Sequence, residues 1–295
     1  MRSSNTMIRE FALLAMLGAA CAPATAETTL CTVIATLPAT ISTPGVYCLE
    51  SDFTYNSVSV SAITIAANNV TLDLNAHRIG NLAAGTADSN FGVYAINQQN
   101  ITVKNGTLRG FATAILLTDS ASPPAISQGH VVQDIRADQN RLVGIQVVGN
   151  GCIVRNNQVV ATGGSTLAAN ESSIGISVSG SGNRVLDNDV TGTVSSGTGS
   201  AFGIQSIAAE GLVVASNRVS GVSAPGGGLE YAIQITTSPH AAIRDNTLSN
   251  AAIPTTPAQS VGMNMDDATD TFSGNLSIGF NTGYVGGTNA PGTNF

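Results

Sequence analysis

One phrase recurs along the chain at a nearly constant distance, and this repeat limits the folds that the sequence can adopt. Each unit opens with Gly or Ala, continues with alternating apolar and polar residues, and closes on an asparagine followed by an apolar residue, as in GIQVVGNGCIVRNNQVV from Gly144. A period of about 30 residues predicts a solenoid, in which each unit buries its apolar face against its neighbours. The openings, spaced by 30, 22, 30, 31, 28, 29 and 30 residues, are Ala62, Gly92, Ala114, Gly144, Gly175, Gly203, Ala232 and Gly262.

The asparagine of each unit indicates what kind of solenoid this is. Asn tolerates the left-handed conformation that a bend between two short strands needs. Stacked at one corner of successive coils, such side chains can hydrogen-bond along the stack. In the Ala114 unit, an insertion over 119–130 moves the equivalent position to Asp134. The predicted ladder, 13 or 14 residues after the openings, consists of Asn75, Asn105, Asn157, Asn188, Asn217, Asn246 and Asn275.

Two further phrases extend the pattern towards the N-terminus, AITIAANNVTLDLNAHRI from Ala62 and ITVKNGTLRGF from Ile101. With the repeat, they resemble secreted bacterial right-handed parallel β-helix proteins, which share the fold of pectate-lyase-like enzymes. The resemblance covers roughly 29–295 and implies an all-β chain with a single right-handed parallel β-helix of about eight coils. We expect this helix over 59–280, an N-terminal cap over 27–58 and a C-terminal tail over 281–295. The same fold carries many activities, so the resemblance says less about function.

Residues 1–26 have the pattern of a signal peptide. Arg2 and Arg9 precede a short apolar run over 11–20, and Ala24-Thr25-Ala26 forms a small-residue cleavage site. The alternatives are an N-terminal core helix and a lipoprotein anchored through Cys21. The favoured interpretation places the protein outside the cell or in the periplasm, and no other stretch is long enough to cross a membrane.

Charge and cysteine content narrow the range of partners. Without 1–26, which hold two of the 11 basic and one of the 18 acidic residues, the net charge is −8. This acidic chain has no basic patch, which disfavours nucleic acid as a partner, and we expect a monomer. In an exported protein, Cys31 and Cys48 are expected to form a disulfide worth about 3 kcal/mol, although two unrelated thiols remain the alternative. We expect Cys152 to be a buried hydrophobe.

Alternation along the first strand of each unit predicts a binding surface. It places the residues before the openings inward, among them Phe91, Phe202 and Tyr231, and the small opening residues outward. Two residues after the openings lies a polar outward row, which would extend for about 19 Å across four steps of about 4.8 Å. We predict that this row lines a glycan-binding trough, the alternative being a ladder that only stabilises the stack. Its members are Gln146, Ser177, Gln205, Gln234 and Asn264.

Catalytic residues are harder to assign. The resemblance implies that uronate lyases of this fold need a basic residue beside calcium-binding carboxylates, and that hydrolases carry clustered aspartates. The outward first-strand row, however, contains no charge. The candidates are Asp134 and Arg136, after the insertion, and Glu230, before a first strand. Ordinary surface ion pairs are the alternative interpretation.

A possible calcium site lies near the C-terminus, where MNMDDATD brings Asp266, Asp267 and Asp270 together. Oxygen-rich turns of this kind can bind calcium, although the spacing is not that of a known calcium loop.

Two functions therefore compete. The protein is either a secreted polysaccharide lyase or glycoside hydrolase that works in the predicted trough, or a non-catalytic β-helix that binds glycans or serves a structural role at the cell surface. The resemblance favours the first interpretation, and the uncharged first-strand row favours the second.

Overall fold

The chain winds into a right-handed parallel β-helix, in which neighbouring strands are parallel. The computed structural model describes residues 30–164, 168–250 and 260–290. Each coil contributes one strand to a ten-stranded sheet, sheet 1, whose strands follow one another in chain order. Sheet 1 consists of β2 (Ala39–Ile41), β5 (Ile63–Ile65), β8 (Phe91–Ile96), β10 (Thr113–Thr118), β12 (Val143–Val148), β15 (Ser173–Ser179), β18 (Ala201–Ile207), β21 (Glu230–Thr236), β24 (Ser260–Met265) and β27 (Thr282–Val285).

The remaining strands form sheet 2, which bends around the opposite side of the helix. Two long strands, β9 and β11, run through the bend and join its two halves. A 3₁₀ helix, Leu82–Ala87, lies between two coils. The strands of sheet 2 are β1 (Thr32–Val33), β3 (Gly45–Cys48), β4 (Phe53–Thr54), β6 (Val70–Asp73), β7 (Arg78–Gly80), β9 (Thr102–Arg109), β11 (Val131–Asp138), β13 (Ile153–Arg155), β14 (Gln158–Val160), β16 (Arg184–Leu186), β17 (Asp189–Thr191), β19 (Val213–Ala215), β20 (Arg218–Ser220), β22 (Ala242–Arg244), β23 (Thr247–Ser249), β25 (Thr271–Ser273), β26 (Leu276–Ile278) and β28 (Thr288–Asn289).

The predicted repeat matches the coils. Each of the eight openings lies at or directly before the start of a strand of sheet 1, from β5 to β24. The sheet continues by one strand on each side, because β2 pairs with β5 and β27 pairs with β24. The helix therefore reaches into the segment expected to be a tail, and residues 291–295 lie outside the described part.

The segment expected to be a separate cap is built as a coil where it is described. Strands β2, β3 and β4 pair with β5, β6 and β7 of the following coil. The predicted disulfide is confirmed: Cys31 and Cys48 are bonded, with Cα atoms 5.8 Å apart. Cys152 is a free, buried thiol, and burial raises its pKa to about 11. The predicted signal peptide and Cys21 lie outside the described residues.

Five asparagines form the ladder inside the bend of sheet 2. In each rung, the side-chain oxygen of one asparagine accepts hydrogen bonds of 2.9–3.0 Å from the main-chain N–H and the side-chain amide of the asparagine one coil earlier. All five are buried, as they must be to replace water as the partner of these groups. The ladder consists of Asn157, Asn188, Asn217, Asn246 and Asn275.

The other two predicted ladder members, Asn75 and Asn105, are exposed and lie outside the ladder. Both have left-handed dihedrals, with φ of 50° and 59°. In the ladder coils the left-handed residue is the one before the ladder asparagine, such as Asn156 with φ of 54° and Asp187 with φ of 54°. The bend therefore divides the two tasks: one residue turns the chain outside, and the next satisfies the backbone inside.

The expectation that the opening residues face outward is wrong. A Cβ atom built on Gly175 would lie 2.5 Å from Cγ1 of the buried Val190 and 2.5 Å from the carbonyl oxygen of Gly203. The register pairs Val143 with Ile174 and Ile145 with Ile176 but passes over the openings between them. The openings are small because the interior leaves no room beside the next coil, not because they line a surface groove.

This packing reverses the predicted orientation of the residues before the openings. Since an opening and the residue after it both face inward, the alternation shifts by one position. Phe91 accordingly stacks on the outward Tyr94 of the same strand, with ring centroids 5.2 Å apart. Phe202 and Tyr231, 5.9 Å apart, form a similar contact on neighbouring strands, and none of these rings belongs to the apolar core. Their predicted inward orientation is wrong.

Gly203→Leu should therefore destabilise the fold and not merely alter its surface. The added side chain would meet the carbonyl oxygen of Ala232, 2.6 Å from the position of a Cβ atom, and overpacking of this kind costs at least about 3 kcal/mol at a site closed by backbone. Thr247→Leu, at an exposed strand position, is the control and should change stability by less than about 0.5 kcal/mol. Thermal unfolding measures both, and equal melting temperatures would contradict the inward position of the glycine.

A buried histidine makes stability depend on pH. His130 accepts a 3.2 Å hydrogen bond from the N–H of Ile101 at Nδ1, so its proton lies on Nε2, 2.8 Å from Oγ of Ser127. Burial lowers the pKa of His130 to about 4. Between pH 6.5 and 4 the unfolded chain binds this proton and the folded chain does not, so stability falls as the pH falls, by up to about 3 kcal/mol.

His130→Asn should reduce this loss of stability, because the side-chain oxygen of Asn183, which also directly precedes a strand of sheet 2, accepts the N–H of Cys152 in the same way. His240→Asn, at an exposed position, is the control. Melting temperatures from pH 7 to pH 4 test the prediction. A wild-type pH profile retained in His130→Asn would show that protonation of His130 does not limit stability.

Candidate functional site

The outer side of sheet 1 presents two neighbouring rows of side chains, which together we call the amide face. The amide row contains the five polar residues predicted from the sequence, and the strand register places them side by side. The apolar row consists of the residues that precede the openings. It contains Phe91, Thr113, Val143, Ile174, Phe202, Tyr231 and Val261.

The amide row is only partly occupied by internal hydrogen bonds. The amide of Gln205 donates to the side-chain oxygen of Gln234 at 2.7 Å, and Gln205 exposes 9% of its surface. The side chains of Gln146 and Asn264 are half-buried and make no hydrogen bond within the described ranges. Donors and acceptors are therefore available towards both ends of the row, while its centre resembles the stabilising ladder of the alternative interpretation.

The apolar row gives this polar surface an unusual neighbour. Phe91, Val143, Ile174 and Tyr231 are half-buried, so each keeps part of its apolar surface in contact with water. Neither row carries a charged residue. A surface that combines ring faces, aliphatic groups and amides is suited to a ligand that has apolar faces and many hydroxyl groups.

Glu230 does not belong to the amide face. It is the first residue of β21, exposes 5% of its surface, and lies inside the coil. Its carboxylate accepts hydrogen bonds from Asn250 and Ser260 at 2.9 Å and 2.8 Å, and from the N–H of Ala224 at 3.2 Å. These three donors join elements of adjacent coils, so the observed contacts of Glu230 are structural.

Asp134 and Arg136 lie elsewhere, in a groove of about 440 Å³ on the outside of sheet 2 that we call the corner groove. It also contains Asp187 and Asp189. Arg136 donates to the side-chain oxygen of Gln158 at 3.2 Å, and Asp134 accepts from the amide of Asn156. The predicted catalytic residues are thus divided between two sheets, and catalysis by Asp134, Arg136 and Glu230 stays a prediction.

The three aspartates of the predicted calcium site are each held by different donors. Asp266 accepts the N–H of Thr237, Asp267 accepts from Thr269, and Asp270 accepts the N–H of Ala241. Burial raises the pKa of Asp270 to about 6, and its second oxygen has no partner among the described residues. No group of three or more His, Cys, Asp or Glu residues is arranged around a common ion in the described ranges. Calcium binding here stays a prediction.

A charged cluster that the sequence did not identify as a unit borders the amide face. Arg141 lies two residues before β12, and its Nη1 is 2.5 Å from Oε1 of Glu171, two residues before β15. Asp88 is fully buried nearby, and burial raises its pKa while the charge of Arg141 opposes the shift. Because Arg141 and Glu171 are 30 residues apart, only their common position in adjacent units could have suggested the pair.

Comparisons with known proteins return structural similarity alone. No family model matches the chain, and no curated protein matches it in sequence. The A-module of the mannuronan C-5 epimerase AlgE6 from Azotobacter vinelandii superimposes with a TM-score of 0.44 and 12% identity, over 85% of this chain and 80% of that module. The catalytic domain of Agl-KA gives a TM-score of 0.41 and 14% identity, over 84% of this chain and 62% of that domain. Within the described ranges, no helix is long and apolar enough to cross a membrane.

Proposed function

We propose that the protein binds a neutral glycan chain along the amide face. The observation that carries this proposal is the juxtaposition of the apolar row with the amide row on one uncharged surface of sheet 1. Both rows run along the helix axis with one residue per coil, so a linear ligand parallel to the axis can meet the same two kinds of group repeatedly over about 19 Å.

Each row supplies one part of sugar recognition. The C–H face of a pyranose ring can cover Tyr231 or the Phe91–Tyr94 stack and remove apolar surface from water. Its hydroxyl groups can donate to and accept from the free amides of Gln146 and Asn264. Without charges in the two rows, a uronate carboxylate would lose water without gaining an ionic partner there, which favours a neutral chain.

Binding, and not cleavage, is the activity that the amide face supports. General acid–base cleavage of a glycosidic bond needs carboxyl groups on both sides of that bond, and neither row contains one. The carboxylate of Glu230 is held inside the coil, and those of the corner groove belong to sheet 2.

We also infer that the protein functions outside the cytoplasm. The Cys31–Cys48 disulfide is of a kind that persists in oxidising compartments. The predicted signal peptide agrees with this location.

Binding to neutral hexasaccharides of glucose, mannose and xylose, measured by titration calorimetry, tests the proposed function. Gln146→Ala should weaken the affinity about fivefold, the equivalent of one neutral hydrogen bond. Tyr231→Ala should weaken it about tenfold through the loss of ring contact. Thr247→Ala on sheet 2, at an exposed position, should leave affinity unchanged.

The stabilising-ladder alternative predicts the opposite pattern. Under it, Gln146→Ala and Tyr231→Ala lower the melting temperature and leave any glycan affinity at the wild-type value. Melting curves recorded on the same three variants separate the two cases, and unchanged affinity in both amide-face variants would exclude this surface as the binding site.

A further inference from the structure

The charged cluster beside the amide face contains a donor that the fold leaves unsatisfied. Arg141 exposes 9% of its surface. Its Nη1 reaches Oε1 of Glu171 at 2.5 Å, but its Nε has no hydrogen-bond partner among the described residues. A buried N–H without an acceptor costs about 1–3 kcal/mol, so a site that keeps one is expected to use it for a ligand.

The pair bridges adjacent coils at the upstream edge of the amide face. Arg141 is followed after one residue by Val143 of the apolar row, and Glu171 lies three residues before Ile174 of the same row. Val143 and Ile174 are paired across β12 and β15. Farther along the same two strands, Gln146 pairs with Ser177 of the amide row. The ion pair therefore borders the part of the face where the amide of Gln146 is free.

The chemistry of the pair matches a diol. Nε–H of Arg141 can donate to one hydroxyl oxygen, while the carboxylate of Glu171, which also accepts the N–H of Ala168 at 2.8 Å, can accept from a neighbouring hydroxyl. With Glu171 paired to Arg141 and Asp88 buried nearby, the cluster carries no excess positive charge that would attract a carboxylate. A ligand with two adjacent neutral hydroxyls satisfies both side chains.

We propose that Arg141 and Glu171 form a subsite that binds two adjacent hydroxyl groups of one sugar residue and thereby fixes the position of the chain on the amide face. This inference rests on the proposed glycan binding and assigns a specificity-determining role to a pair that lies outside both rows.

Conservative variants test the subsite. Arg141→Lys keeps the charge but loses the guanidinium fork, and Glu171→Gln keeps the shape but loses the charge. Each should weaken binding of the best neutral hexasaccharide about tenfold, since a charge-assisted hydrogen bond is lost. Arg218→Lys is the matched control, because Arg218 forms a 2.5 Å ion pair with Asp189 on sheet 2, and it should leave the affinity unchanged.

A measurement on the wild-type protein avoids any effect of substitution on folding. Hexasaccharides that lack single hydroxyl groups should include one that binds the wild type about tenfold more weakly. That ligand should bind Arg141→Lys with the same affinity as the wild type, because the lost hydroxyl and the lost fork belong to the same contact.

The outcomes distinguish the two proposals. No binding of any neutral hexasaccharide by the wild type would overturn the proposed function. Binding that Gln146→Ala weakens, but that Arg141→Lys and Glu171→Gln change no more than Arg218→Lys does, would overturn the subsite alone. Tighter binding of a hexauronate than of every neutral hexasaccharide would overturn the neutral-diol chemistry of the pair.

Discussion

The buried asparagine ladder is the interaction on which the rest of the helix depends. A chain that turns sharply between two short strands leaves N–H groups that neither sheet can satisfy, and burying them unpaired would cost more than the turn gains. Each ladder asparagine accepts the N–H of the rung before it and donates to a carbonyl oxygen two coils away, as Asn217 does to Val185. The ladder thereby fixes coil against coil over five successive units, and both sheets follow its register.

The second constraint is the narrow interior at the start of sheet 1. The opening residues face inward against the next coil, and an inward residue follows directly. This local break in alternation turns the preceding residues outward and creates the apolar row beside the amide row. The binding surface is therefore a consequence of how the core packs, and substitutions at the glycines act on the stability of the fold before they act on the ligand.

The sequence predicts the periodic features well, because a solenoid repeats the same contacts in every coil. The openings, five of the ladder asparagines, the disulfide and the alignment of the amide row follow from spacing alone. The orientation of Phe91, Phe202 and Tyr231 did not, since simple alternation cannot reveal two successive inward residues. Glu230 seemed available for chemistry because its donors, Asn250 and Ser260, come from loops and neighbouring coils. The Arg141–Glu171 pair was missed for the same reason, because loops of unequal length bring it together.

The most direct test of glycan binding on the amide face is hydroxyl-radical footprinting with and without a bound neutral hexasaccharide. Tyr94 and Tyr231 lie on the amide face, whereas Tyr47 lies on β3 of sheet 2. The account predicts that the ligand protects Tyr94 or Tyr231 from oxidation and leaves Tyr47 unchanged. Protection of peptides that contain Asp134 and Arg136, with both amide-face tyrosines still oxidised, would place the glycan in the corner groove and contradict the account.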